Sequence, residues 1–230
     1  MLDKLPVDVV VVDCEVYDDI NTPSAFDRPW EIQLSIVSTY SKPHGYRDWL
    51  GDKSVPDLIQ YLTGFKSIVG FNHVRFDYGV LDGSLTREHN AGHAEARKVI
   101  SGVIDLGERD PAPGMVATLL RSKSIDIHLD VSAYLDAKKL PREGRRSSLD
   151  KISRATLSEG KAPPQRNRPA NSPTMWRSRK CFEVLQFCRM DVQRTAGIYL
   201  HLANGGNLMI DGWPEKGVND LGGPVVLRHR

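Results

Sequence analysis

Apolar positions along this chain change period several times, and each change marks an element. Val7 to Val16 is a β-branched run without Pro or Gly, apolar enough to be buried on both faces, and predicts a first strand. Tyr17 to Pro29 is polar and broken by Asn21-Thr22-Pro23, which predicts a loop. Ile32 to Tyr40 carries apolar residues at alternate positions (Ile32, Leu34, Ile36) and predicts a second strand. Ser41-Lys42-Pro43 makes a turn, and Tyr46 to Leu50 a third strand, so the first three form an antiparallel meander.

The period then lengthens. A helix opens at Ser54, with Pro56 just inside it and Asp57 near its positive end; Leu58, Ile59, Leu62 and Phe65 supply its apolar face. Ser67 to Gly70 predicts a short buried strand, Phe76 to Leu81 a helix, and Ile125 to Val131 a fifth strand. Residues 86 to 113 mix helical and loop pieces. Ser147 or Ser148 caps a helix bearing Leu149, Ile152 and Leu157. Residues 160 to 178 hold four prolines and several arginines and predict a long mobile loop, of the kind that is functional or disordered in a compact domain. From Arg179 to about Leu202 the chain predicts a long helix, with Val184, Phe187, Cys188, Asp191 and Ile198 on one face. Residues 204 to 230 are Gly-rich and irregular, with a short hairpin as one way for them to end. The chain contains no internal repeat.

Composition narrows the class. At 230 residues, 40% hydrophobic and 26% charged, the chain suits one α/β domain, residues 1–203, with the 204–230 extension packed on or beside it. Three cysteines (Cys14, Cys181, Cys188) form neither a disulfide framework nor a metal spacing, which implies a reducing compartment. Asp8 and Asp13 bracket the first apolar patch, so it fails as a signal peptide. No stretch reaches the length of a membrane span, and the expected location is the cytoplasm. The net charge of +2 is small, yet Arg142, Arg145, Arg146, Lys151, Arg154, Lys161, Arg166, Arg168, Arg177, Arg179 and Lys180 crowd one stretch, while acids dominate the start. Such asymmetry suits a polyanion held beside a metal site, and equally a solvated basic loop.

Asp13 and Glu15 sit two apart at the end of the first strand, so both side chains leave the same face. Paired carboxylates near a buried strand are costly unless neutralised, and a hard divalent cation with oxygen ligands does this. Gly70-Phe71-Asn72-His73-Val74-Arg75-Phe76-Asp77 follows a short strand and opens a helix, which aims Asp77 back towards the same sheet edge. Asn72 is placed to hydrogen-bond across the strand ends or to a substrate. Phe187-Cys188-Arg189-Met190-Asp191 lies on the last helix, with Phe187 and Asp191 four apart on one face. Each element alone also has a bland reading: a chance Asp-x-Glu, a helix-starting Asp, a solvated helical Asp.

In order and context the three elements resemble the exonuclease motifs of the DEDD superfamily of ribonuclease-H-like 3′–5′ exonucleases. The nearest likeness is to the tyrosine branch related to family B polymerases and helicase-associated exonucleases. His128-Leu129-Asp130-Val131, Ser148-Leu149-Asp150-Lys151-Ile152, Gly160-Lys161 and Trp176 resemble the intervening segments of that branch, so the resemblance spans about residues 9 to 199. It implies an α/β fold with a mixed five-stranded ribonuclease-H-like sheet flanked by helices. It also implies two divalent cations, Mg2+ or Mn2+, roughly 3.5–4 Å apart, held by Asp13, Glu15, Asp77 and Asp191 as catalytic carboxylates. Asp13 would bridge both ions. Glu15 and Asp191 would hold the ion that activates water, and Asp77 the ion at the leaving 3′ oxygen. The implied reaction is hydrolysis of the terminal phosphodiester of single-stranded or frayed nucleic acid, DNA ahead of RNA, releasing nucleoside 5′-monophosphates. Asn72, Phe76, Phe187 and Lys161 are the expected substrate-binding residues. Basic residues from Arg166 to Lys180 would meet phosphates, and Phe71, Phe76 and Trp176 would stack on bases or fill the core.

One departure stands out. The tyrosine subgroup carries Tyr four before the last Asp and the histidine subgroup His five before it; here those residues are Phe187 and Gln186. Losing an orienting hydroxyl lowers such help by a factor of order 10². The alternative function is therefore a catalytically weak nucleic-acid-binding module for a polymerase or helicase partner, since the chain has no polymerase or helicase motifs of its own. His89 and His93 stand four apart, but Asn90 and Gly92 spoil the helix a zinc pair would need. Asp126, His128 and Asp130 suggest another acidic site, but the resemblance implies that they belong to a structural strand.

Overall fold

The computed structural model describes residues 1–20, 23–92, 114–137, 148–157, 172–210 and 225–229. Five strands form one mixed sheet: β1 (Val9–Val16), β2 (Leu34–Ser41), β3 (Gly45–Leu50), β4 (Ser67–Gly70) and β5 (Ser124–Asp126), in the order β3-β2-β1-β4-β5. β2 and β3 run antiparallel to their neighbours, whereas β1, β4 and β5 are parallel. This is the ribonuclease-H-like arrangement that the sequence predicts. The described helices are α1 (Pro23–Asp27), α2 (Val55–Thr63), α3 (Asp77–Asn90), α4 (Met115–Leu120), α5 (Ile127–Ala137), α6 (Leu149–Thr156), α7 (Ser172–Arg177) and α8 (Cys181–Ala203).

The period-two pleat of β1 divides the core. Val10, Val12 and Val16 pack with α2, α3 and α4 through Leu58, Leu62, Leu81, Leu85 and Leu120. Val9 and Val11 face the other way, onto Val192, Ala196 and Ile198 of α8, with Ile127, Val131 and Ile152. Leu208, Ile210 and Val225 are buried in that second layer, and His229 bridges Ile125 at the sheet edge. Central placement explains the near-continuous apolar run of β1: both of its faces are covered.

Several elements differ from expectation. The fifth strand stops at Asp126, and Ile127 to Ala137 is helical. A short apolar run fits a buried strand or a buried helix equally well. The choice falls to Asp126, whose carboxylate accepts the Leu129 N–H at 3.2 Å and so satisfies the first turn of α5. His128 and Asp130 therefore lie on a helix, not on a strand. The expected loop from Tyr17 to Pro29 contains α1, and the expected loop of residues 160 to 178 contains α7. The helix starting near Asp77 runs on to Asn90. Arg87 on it explains the extension: its Nε donates to Asp52 Oδ2 at 2.6 Å, and its Nη2 to Ile32 O at 3.0 Å, which ties α3 to the approach to β2. No helix among the described residues is long and apolar enough to cross a membrane.

Candidate metal centre

Asp13 and Glu15 continue the Val9, Val11 row of β1, on the face that α8 covers. α8 crosses that face at the C-terminal end of β1. There Asp13, Glu15 and Asp191 each offer a carboxylate oxygen, all within 4.8 Å of one another. At that separation each ionised pair repels by about 3 kcal/mol at an effective dielectric near 20. Three such pairs in a half-buried site favour either proton uptake or a bound cation.

The titration of Asp13 reflects this. Burial, then the carboxylates of Asp191, Asp77 and Glu15, push its pKa well above the ordinary range, against a hydrogen bond from Cys188. The Cys188 thiol lies 3.3 Å from the Asp13 carbonyl and 3.6 Å from its Oδ2.

Asp77 opens α3 beside the same sheet edge. It is 6% exposed and Oδ2 has no hydrogen-bond partner among the described residues. Burial and the nearby Asp126 raise its pKa to about 7, opposed by the Cys14 thiol. Cys14 projects from the opposite face of β1 to Asp13, so the fourth carboxylate approaches from the α2–α3 side. An unsatisfied buried carboxylate oxygen is what a site made for a hard cation presents when only protein groups are counted. The donor set, all carboxylate, fits Mg2+ or Mn2+ rather than a thiolate-seeking metal.

Asp126, which the resemblance put on a structural strand, organises the loop that leads to Asp77. Fully buried at the end of β5, it accepts Asn72 N–H on Oδ1 and Val74 N–H on Oδ2, both at 3.0 Å. His73 Nδ1 lies 3.5 Å from the same Oδ2. Asn72 holds a left-handed backbone conformation (φ 65°), which Asn tolerates better than most residues. Gly70 is required for packing: a Cβ there would sit 2.6 Å from the His73 ring.

Of the expected substrate contacts, Asn72 lies in this loop, half-buried. Phe76 precedes Asp77 and is 9% exposed within the core, and its ring is 5.2 Å from that of Phe26, which is 55% exposed. No sequence signal marks Phe26, because the contact joins α1 to α3. Phe187 lies half-buried one turn before Asp191. Phe71 meets His128 at 5.3 Å, and Trp176 packs against the small cluster of Ile36, Val184 and Cys188. Lys161, Arg166, Arg168 and His93 lie outside the described residues, as do Arg142, Arg145 and Arg146. Arg177, Arg179 and Lys180 are exposed at the α7–α8 junction, and Arg177 reaches the Tyr17 carbonyl at 3.4 Å.

No protein-family model matches the sequence, and no curated protein matches it. Among solved structures, the fold is similar to that of the family B DNA polymerase from the hyperthermophilic archaeon Pyrobaculum calidifontis. The TM-score is 0.54 and the identity 15%, over 86% of this chain. The chain spans 25% of the polymerase chain. At that identity the likeness is one of fold.

Proposed function

We propose that the protein is a metal-dependent 3′–5′ exonuclease acting on single-stranded or frayed nucleic acid, DNA ahead of RNA. One observation carries this reading: Asp13 and Glu15 of β1 and Asp191, far away in sequence on α8, converge within 4.8 Å at the sheet edge beside a buried Asp77. The fold it shares with a family B DNA polymerase supports a nuclease, because those enzymes carry a 3′–5′ exonuclease domain.

Asp13, Glu15 and Asp191 would hold the divalent cations, with Asp77 completing the set. Bound ions would supply activation of water and stabilisation of the departing 3′ oxygen. The protein groups position the substrate. The exposed Phe26 ring, backed by Phe76, offers a stacking face for a terminal base next to Asp77. Arg177, Arg179 and Lys180 offer positive charge to the phosphates upstream. Phe187 keeps the ring, but not the hydroxyl, of the residue that orients water in the tyrosine branch, so turnover is slow.

The test is a gel assay on 5′-labelled single-stranded DNA and RNA with Mn2+, Mg2+ or EDTA. The expected result is a ladder shortening from the 3′ end, present with metal and lost in Asp13→Ala. Salt-sensitive binding without shortening under any metal would replace this reading with a nucleic-acid-binding module that serves a polymerase or helicase.

A further inference from the structure

Arg194 stands three residues after Asp191 on α8, and none of the sequence motifs includes it. Its side chain is 7% exposed. A guanidinium does not lose its charge in a protein, so at this depth it must be paired. Nη1 donates to Asp191 Oδ1 at 3.1 Å and lies 3.8 Å from Asp150 Oδ1. Asp150, in the first turn of α6, also meets Arg154 Nη2 at 2.9 Å. One buried cation thus bridges a proposed metal ligand and a second helix.

We propose that Arg194 is a positioning residue that orients Asp191 for metal binding, with Asp150 holding Arg194 from the far side. The inference rests on the metal-centre reading above. Asp13 and Glu15 take their direction from the pleat of a central strand. Asp191 projects from a helix and is 25% exposed, so its side-chain torsions need another restraint. A guanidinium anchored at its far side by Asp150 supplies one. The charges of Arg194 and Asp150 cancel when both side chains are removed, so a variant lacking the two leaves the net charge unchanged and reads orientation. α6, which contributes no carboxylate to the cluster, is thereby coupled to it.

That cancellation designs the experiment. In the Arg194→Met/Asp150→Leu double variant both charges leave together, and apolar replacement of a buried ion pair is commonly neutral for folding. Mn2+ binding to the full chain is measured by calorimetry without nucleic acid, beside a thermal melt. The dissociation constant is expected to rise about tenfold or more, as when other supporting partners of metal ligands are removed. Arg194→Lys keeps the charge without the planar fork; it should weaken binding several-fold, and it decides the matter if the double variant does not fold. Wild-type Mn2+ affinity in the folded variant would overturn the proposal. Failure of the metal reading looks different: the wild type itself would bind no Mn2+, or Asp13→Asn would bind it equally well.

Discussion

Arg189 on α8 is clamped to Asp48 on the edge strand β3, its Nε donating to Oδ1 at 3.1 Å while Nη2 reaches Oδ2. The guanidinium lies 5.0 Å over the Tyr46 ring, and the Tyr46 hydroxyl donates to the Arg189 carbonyl at 3.4 Å. Asp48 also accepts from Ser38 at 2.8 Å, and Ser38 is the β2 residue paired with Asp13. A row of contacts therefore fixes α8 across three strands, two residues before Asp191.

Asp48→Ala should accordingly cost activity, and about 1–3 kcal/mol of stability because the buried Ser38 hydroxyl loses its acceptor; the ion pair itself adds little. Arg189 is 39% exposed, and a pair so open to water contributes about 0.5–1 kcal/mol. A small shift of Asp191 is expected to lower nuclease turnover by about tenfold, since misplacement on the order of 1 Å is enough for such losses. Melting and turnover measured on one preparation check both halves; unchanged turnover would mean that packing alone positions α8.

Metal and protons should compete for the fold. Burial raises the pKa of Asp77 to about 7, with Asp126 adding to the rise, and burial raises that of Asp82 to about 6 against the backbone N–H groups of Val116, Gly114 and Met115. Both are carboxylic acids whose ordinary value is 3.8, so the folded state binds the proton more tightly than the unfolded chain. Their contribution to stability is full at the acid end and is lost as pH rises through the window from about 4 to about 7. In EDTA these groups lower the melting temperature over that window. Bound Mn2+ would relieve Asp77 but not Asp82, which sits on α3 with its carboxylate capping the α4 N-terminus. The Mn2+-induced rise in melting temperature should therefore be larger at pH 7.5 than at pH 5; a rise independent of pH would exclude Asp77 from the metal site.

Removing the Asp126 carboxylate should unsettle the Asp77 loop. Asp126→Ala leaves the N–H groups of Asn72, Val74 and Leu129 without their acceptor. Each unmet buried group costs about 1–3 kcal/mol, so a loss of about 3 kcal/mol or more is expected from denaturant titration. Asp126→Asn retains one acceptor oxygen and should lose less. A variant as stable as wild type would mean that water or loop movement replaces these bonds.

Phe187→Tyr should raise turnover. The added hydroxyl stands one turn before Asp191, and an orienting hydrogen bond contributes a factor of up to about 10². Turnover on labelled single strands should increase while Mn2+ affinity stays the same. If turnover does not change, Phe187 does not occupy the water-orienting position.

Local periodicity made much of this legible. The β-branched run of β1 and the pleat placed Asp13 and Glu15 on one face, and the meander of the first three strands followed from alternation and turns. The spacing on the last helix put Asp191 on its buried side with Val184 and Cys188. These readings hold because each depends on neighbours within a few residues, where backbone geometry leaves few choices. The tertiary structure decided what lies between distant segments: that α8 crosses the carboxylate end of β1, that the Phe26 ring packs against that of Phe76, that Arg194 links Asp191 to Asp150. It also decided that the apolar run after Asp126 coils into α5 rather than extending β5, because a buried strand and a buried helix share one hydrophobic pattern and only the Asp126 cap and its packing partners distinguish them.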